Sequence, residues 1–224
     1  MTIKVKKNTS AIILAAGKSE RMGYPKFMLR CADGQTFLQK LVSGFLLFGC
    51  RQVVVVLNEH EYQKVLLQIP EFPSEVLLVE NSHPEWGRFY SLKLAVDRIK
   101  PIDYIYVGNI DNPFVDAELL GLLYHSAAQA DYLMPEYKGR GGHPILISQK
   151  IAEDIKTRTT YDYHLKEFLS SYSSLRVEVN NPLVLANINT IDDYRQYFGD
   201  WKLSKYQAPI QNSYDGFDVK KLTE

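Results

Sequence analysis

Apolar residues along this chain fall into two alternating forms, short continuous runs and helical repeats. Residues 11–15 and 53–57 are apolar throughout, the second run mostly β-branched, and residues 76–79 and 104–107 repeat the form. A strand covered on both faces carries apolar side chains at every position, so each run predicts a buried strand. Between them, Phe37, Leu41 and Phe45 beside Leu38, Val42 and Leu46 recur at helical spacing, predicting a helix over residues 36–48 that Gly49 ends. Residues 58–69 predict a second helix, with Tyr62, Val65, Leu66 and Ile69 on one side and Pro70 as its stop. Residues 91–99 predict a third, with Leu92, Ala95, Val96 and Ile99 inward. Strands alternating with helices through short connections imply a parallel sheet with helices on both faces.

The second half departs from strict alternation. Its pattern predicts a helix over residues 116–128, a strand at 132–134, a loop at 138–142 and a strand at 144–147. A helical stretch over 151–172, a strand at 175–179 and a last helix from about Asp192 complete it, extending the sheet and walling one side of a cleft. Residues 202–224 are polar without a clean period and receive no element. The expectation is one domain over residues 1–200, followed by a tail at 201–224.

Composition narrows the partners. The chain has 224 residues with 26 Lys and Arg against 26 Asp and Glu, so no net field recommends a nucleic acid or an anionic membrane surface. Any phosphate binding has to come from local placement. Cys31 and Cys50 stand in no metal-binding or CxxC spacing and suit a reducing compartment. Lys4, Lys6 and Lys7 ahead of the first apolar run imitate a leader peptide, yet the run is short and Lys18, Glu20 and Arg21 follow it at once, so it reads as a first strand. No run approaches the roughly 18 apolar residues of a membrane span. A soluble, cytoplasmic protein is expected.

Against that neutral background, residues 14–26, LAAGKSERMGYPK, concentrate chemistry. A buried strand opens into a polar loop where Gly17 and Gly23 let backbone approach a ligand and Lys18, Arg21 and Lys26 supply positive charge. Pro25 stiffens the chain just before Lys26. The spacing is neither GxxxxGK[ST] nor GxGxxG. Asp111, just past a predicted central strand, either holds Mg²⁺ with substrate oxygens and water or makes an Asx-turn or helix cap, and Asp116 reads as a helix cap. Asn189 and Thr190 offer an amide oxygen to a metal or a cap to the last helix. In residues 81–92, NSHPEWGRFYSL, Gly87 permits close approach to a flat base, Ser91 offers a hydroxyl and a backbone N–H at a helix start, and Trp86 and Arg88 support or stack. Arg140, Gly141, Gly142, His143 and Pro144 put a cation and an imidazole before a strand; His143 is either a hydrogen-bond partner for an acceptor substrate or a turn residue. His60, His83, His125 and His164 have no metal spacing, and Asp162, His164 and Ser170 or Ser171 lack the nucleophile elbow a hydrolytic triad would need.

Taken together these stretches resemble the nucleotidyltransferases that include molybdenum cofactor cytidylyltransferase, its guanylyltransferase relative and the methylerythritol phosphate cytidylyltransferases. The first stretch is similar to their LAAGxSxRMGxxK signature, and ADGQTFL, GRFYSL, Asp111-Asn112-Pro113, GGHP and Asn189-Thr190 follow in the family's order over residues 11–197. The resemblance implies a three-layer α/β/α sandwich of the Rossmann-like nucleotide-diphospho-sugar transferase type. It implies transfer of a nucleoside monophosphate from an NTP to a phosphorylated acceptor, with release of pyrophosphate. On that pattern Leu14, Ala15, Ala16 and Gly17 hold the nucleotide, Arg21 and Lys26 meet its phosphates, Gly87 and Ser91 face the base, Gly142 and His143 meet the acceptor, and Asp111 and Asn189 hold Mg²⁺. Ala-Ala-Gly at 15–17 together with Gly-Gly-His-Pro leans towards CTP and a pterin-type acceptor such as molybdopterin cofactor. A molybdoenzyme or chaperone is the protein partner this implies. The alternatives are transfer to a sugar phosphate or other small phosphate, and a catalytically silent nucleotide-binding partner protein.

Overall fold

The computed structural model describes residues 7–68, 72–161 and 163–199. Among them the strands are β1 (Thr9–Leu14), β2 (Val53–Asn58), β3 (Val76–Asn81), β4 (Tyr104–Asn109), β5 (Tyr132–Tyr137), β6 (Arg140–Gly141), β7 (Ile145–Ser148) and β8 (Ser174–Glu178). The helices are α1 (Phe37–Phe48), α2 (Glu59–Gln68), α3 (Gly87–Val96), α4 (Ala117–His125), α5 (Gln149–Thr157), α6 (Leu165–Leu169) and α7 (Ile191–Phe198). The strands form one sheet in the order β3-β2-β1-β4-β7-β5-β6, with β8 paired to β5. The first four run parallel; β7 is antiparallel to β4 and to β5, and β8 returns parallel to β5. The sheet is therefore mixed and mostly parallel between two helical layers.

Strand alternation divides the core into those layers. Ala11, Ile13, Val53, Val55 and Tyr106 face α1, α2, α4 and α7, while Ile12, Leu14, Val54, Val56, Ile105 and Val107 face α3, α5 and α6. Both faces being covered explains why these strands read as unbroken apolar runs. Local signals fix the helix ends. Thr36 and Gln39 close a capping box on α1, left-handed Gly49 ends it, and Asp116 accepts a bond from the Leu119 amide to start α4, as expected of it.

The structure corrects several expected elements. The helical stretch at 151–172 is two helices, α5 and α6, because Lys93 of α3 donates to the carbonyls of Ile155 and Lys156 and so closes the end of α5. The loop at 138–142 is a tight hairpin between β5 and β6, with positive φ at both Lys138 and Gly139. The third helix begins at Gly87, so Ser91 lies inside it and its backbone N–H is not a free helix-start donor. On α2, Val65 is buried and Leu66 is exposed, because the helix covers the sheet edge with a narrow stripe. Ile69, Asp162 and residues 201–224 lie outside the described residues. No helix among the described residues is long and apolar enough to cross a membrane.

Candidate active site

The polar loop leaves β1 at the carboxyl edge of the sheet, where open α/β sheets receive their ligands. Leu14 accepts from the Ile110 amide, and the Ala15 amide donates to Val56, so β1 stays paired to its last residues. Beyond Gly17 the chain turns through Ser19, which has φ 53 and whose carbonyl accepts from the Met22 and Gly23 amides at 3.0 and 3.1 Å. Met22 is buried beneath this turn. Asn58, the last residue of β2, donates through Nδ2 to the carbonyls of Ala16 and Gly17 at 3.3 and 3.4 Å, while its Oδ1 caps α2 at the Glu61 amide.

Glu61 lies directly under the loop. It is buried, and Ser19 Oγ donates to its carboxylate at 3.4 Å. Burial pushes its carboxyl up to about 7, against the opposing pull of the Ser19 bond, Lys64 and Lys26.

Lys26 follows Pro25 at the start of a short 3₁₀ turn, and its ammonium donates to Asn189 Oδ1 at 2.7 Å. Burial lowers its pKa; Asp111 opposes that shift, Arg21 adds to it, and Glu61 and Asp193 oppose it further. Arg21 is exposed outside the cavity lining, with its charge felt by Lys26 and Asp193. Asp111 sits just past β4, and its backbone carbonyl accepts from the Ile188 amide at 2.9 Å, which brings Asn189 alongside. Thr190 and Asp193 form the capping box of α7, so capping falls to Thr190 and the Asn189 amide oxygen is left for Lys26.

Lys26 and Asp111 share one cleft. Leu14, Ala16, Gly17, Ser19 and Lys26 line it from the loop side, Gly87, Arg88 and Ser91 from the third helix with Pro84 just ahead of it, and Asn109, Ile110 and Asp111 from the end of β4. Ala15 turns its side chain into the opposite layer and is not part of the cleft lining. Trp86 stacks on His83, with ring centroids 4.1 Å apart, and on Tyr161 at 5.0 Å, so its ring is engaged by protein aromatics. His143 and Gly142 stand behind the lining. Asn109 Nδ2 lies 3.2 Å from one His143 ring nitrogen, and burial lowers that imidazole's pKa. A Cβ on Gly142 would meet the Val184 carbonyl oxygen at 2.4 Å, so packing requires glycine there.

A divalent ion finds a suitable, sparse donor set. The described residues contain no cluster of three or more His, Cys, Asp or Glu that could hold a metal, yet the Asp111 carboxylate borders the cleft and makes no hydrogen bond among the described residues. One free carboxylate fits Mg²⁺, which keeps most of its ligands as water and phosphate, whereas the Asn189 amide oxygen, expected as a second donor, already accepts from the Lys26 ammonium.

Four residues escaped the sequence reading: Glu61, and Asn58, Asn81 and Asn109, which end β2, β3 and β4, are all buried, and each brace part of the cleft. The asparagine signal was present as VVVVLN, VLLVEN and YIYVGN, an amide closing each apolar run. Glu61 had no such signal, since a glutamate in the first turn of a helix ordinarily faces water.

The match to the MobA-like NTP transferase domain covers residues 11–177. The chain belongs to that family. Within it, a probable molybdenum cofactor guanylyltransferase from Methanosarcina acetivorans is 26% identical over 208 residues, covering 86% of this chain and 91% of that protein. The molybdenum cofactor cytidylyltransferase of Escherichia coli is 26% identical over 183 residues, covering 82% and 92%. A Mycobacterium tuberculosis protein whose crystal structure was solved in complex with manganese superposes with a TM-score of 0.69 at 20% identity, covering 88% of this chain and all of that one. The MobA-like chain thus carries the nucleotide-diphospho-sugar transferase fold and the general activity of an NTP transferase, with guanylyl and cytidylyl relatives at the same 26% identity.

Proposed function

We propose that this MobA-like enzyme moves CMP from CTP to a phosphorylated acceptor of the molybdopterin cofactor class. A phosphate oxygen of the acceptor forms the new bond to the α-phosphorus, and the bond to pyrophosphate breaks with its electron pair leaving on pyrophosphate. No protein nucleophile is needed, so catalysis consists of positioning and charge stabilisation. Lys26, aimed by Asn189, neutralises charge on the α-phosphoryl oxygens, and Arg21 meets the departing pyrophosphate. Asp111, with Asn189 beside it, would hold Mg²⁺. The ion supplies Lewis-acid neutralisation of phosphate charge there. Ala16 and Gly17 approach the nucleotide, Gly87 and Ser91 face its base, and Gly142 and His143 address the acceptor, with Asn109 steadying the imidazole.

The observation that carries this reading is the convergence of Lys26, Asp111, Gly87 and Ser91 on one cleft. The choice of CTP rests on Ala15-Ala16-Gly17 and on Gly-Gly-His-Pro. GTP is the second reading, favoured by a guanylyltransferase relative of equal identity. Pyrophosphate release with molybdopterin cofactor, Mg²⁺ and each NTP in turn tests both. Turnover with CTP is expected; turnover with GTP alone selects the second reading, and pyrophosphate from neither contradicts the proposal.

A further inference from the structure

We propose that Asn81 directs the proton of the Ser91 hydroxyl into the cleft, so that the site prefers a nucleobase presenting a hydrogen-bond acceptor to it. This rests on the reading of Ser91 as a base contact and makes Asn81 a positioning residue for base selection.

The argument is one of hydrogen-bond polarity. Asn81 closes β3 and is fully buried. The backbone N–H of His83 can only donate, and it lies 2.8 Å from the Asn81 side chain, so the atom it meets is the carbonyl Oδ1. The other amide atom is therefore Nδ2, which donates to Ser91 Oγ at 2.9 Å. Ser91 Oγ is an acceptor in that bond and retains its own proton. The Ser91 hydroxyl makes no other hydrogen bond among the described residues, and Ser91 lines the cleft beside Gly87. A hydroxyl has one proton and two lone pairs; with one lone pair engaged by Nδ2 and no protein acceptor for the proton among the described residues, an acceptor on the ligand is the partner that satisfies that proton. The matching ligand is a heterocycle with a carbonyl oxygen or an unprotonated ring nitrogen at that edge. A base with an N–H in the same place would meet the second lone pair and leave the Ser91 proton without an acceptor on a nearly buried side chain, which is penalised.

Asn81→Asp inverts this polarity while nearly preserving shape. The carboxylate accepts from both the His83 amide and the Ser91 hydroxyl, so the proton turns inward and only lone pairs face the base. The test is calorimetric binding of three probes with Mg²⁺: the α,β-methylene analogues of CTP and GTP, and inorganic tripolyphosphate, which has no base. Melting curves and near-UV circular dichroism verify the fold of Asn81→Asp, Ser91→Ala and the double variant.

The better-bound nucleotide analogue should weaken about tenfold or more in each single variant, with tripolyphosphate unchanged. The double variant should be no weaker than Ser91→Ala, because Asn81 acts through Ser91. Ser91→Ala weakening the nucleotide while Asn81→Asp does not would leave the base contact standing and overturn the role of Asn81. Equal weakening of nucleotide and tripolyphosphate in Asn81→Asp would mark a general structural defect and also overturn it. If Ser91→Ala binds the nucleotide as tightly as wild type, the base contact itself falls, and the inference with it.

Discussion

At one end of the cleft Lys26 and Asp111, with Glu61 buried under the loop, act through charge over distance, whereas at the other Asn81, Ser91 and the start of α3 act through hydrogen-bond direction at contact. The charged end is coupled: the pKa of Lys26 answers to burial and to the charges of Asp111, Arg21, Glu61 and Asp193 together. The neutral end is a relay, in which the His83 amide fixes Asn81 and Asn81 fixes Ser91. Removing one charge therefore disturbs the whole of its end. Removing one amide affects only the atom it directs. A triphosphate is high in charge and low in identity, while a base is the reverse, and the two ends match that division.

The largest expected effect lies at the charged end. Lys26→Ala should lower kcat by about 10²- to 10³-fold, as loss of a preorganised transition-state contact does, with little change in melting temperature. A variant that folds and keeps wild-type kcat would remove Lys26 from the chemistry.

Glu61 offers a pH test of the same end. Its folded pKa of about 7 lies above the ordinary carboxylate value of 4.5, so the folded state binds more protons between those values. Stability should be highest below about pH 4.5 as far as this group is concerned, fall as pH rises to about 7, and stay lower above it by up to about 3 kcal/mol. Glu61→Gln should abolish that contribution in urea titrations across the range, since glutamine still accepts from Ser19 without a charge to desolvate. An identical pH dependence in the variant would show that Glu61 is already ionised without penalty.

Smaller effects separate structure from chemistry behind the lining. Gly142→Ala should cost about 1–3 kcal/mol by overpacking against Val184, read as a lower urea midpoint. An unchanged midpoint would show that the 182–185 segment yields. Thr190→Ala should cost about 1 kcal/mol through its lost cap and leave nucleotide affinity intact, because Asn189 rather than Thr190 faces Lys26. A matching loss of nucleotide affinity would mean that the cap and the Lys26 contact are one unit.

How far the sequence discloses the molecule follows the same division. The parallel half was legible because strands buried on both faces are apolar at every position, and the charged residues of the first loop stood out against a polar, glycine-marked turn. Asp111 was visible from its place after a strand. The row of Asn58, Asn81 and Asn109 was not, because an amide after an apolar run reads as a turn residue until sheet register sets Asn58 opposite Asn81 and Leu14 opposite Asn109. The break between α5 and α6 was equally hidden, since its cause is Lys93, distant in sequence and on another helix. Glu61 was missed because its burial comes from the loop folded over it.

Nucleotide titrations with and without Mg²⁺ on wild type, Lys26→Ala and Asp111→Asn ask most directly whether a triphosphate is gripped between the ammonium and an ion on the facing carboxylate. Mg²⁺ should tighten binding of CTP or GTP to the wild type, Asp111→Asn should lose that gain while keeping metal-free affinity, and Lys26→Ala should bind more weakly in both conditions. An Asp111→Asn protein that keeps the full gain from Mg²⁺ would contradict the proposed grip.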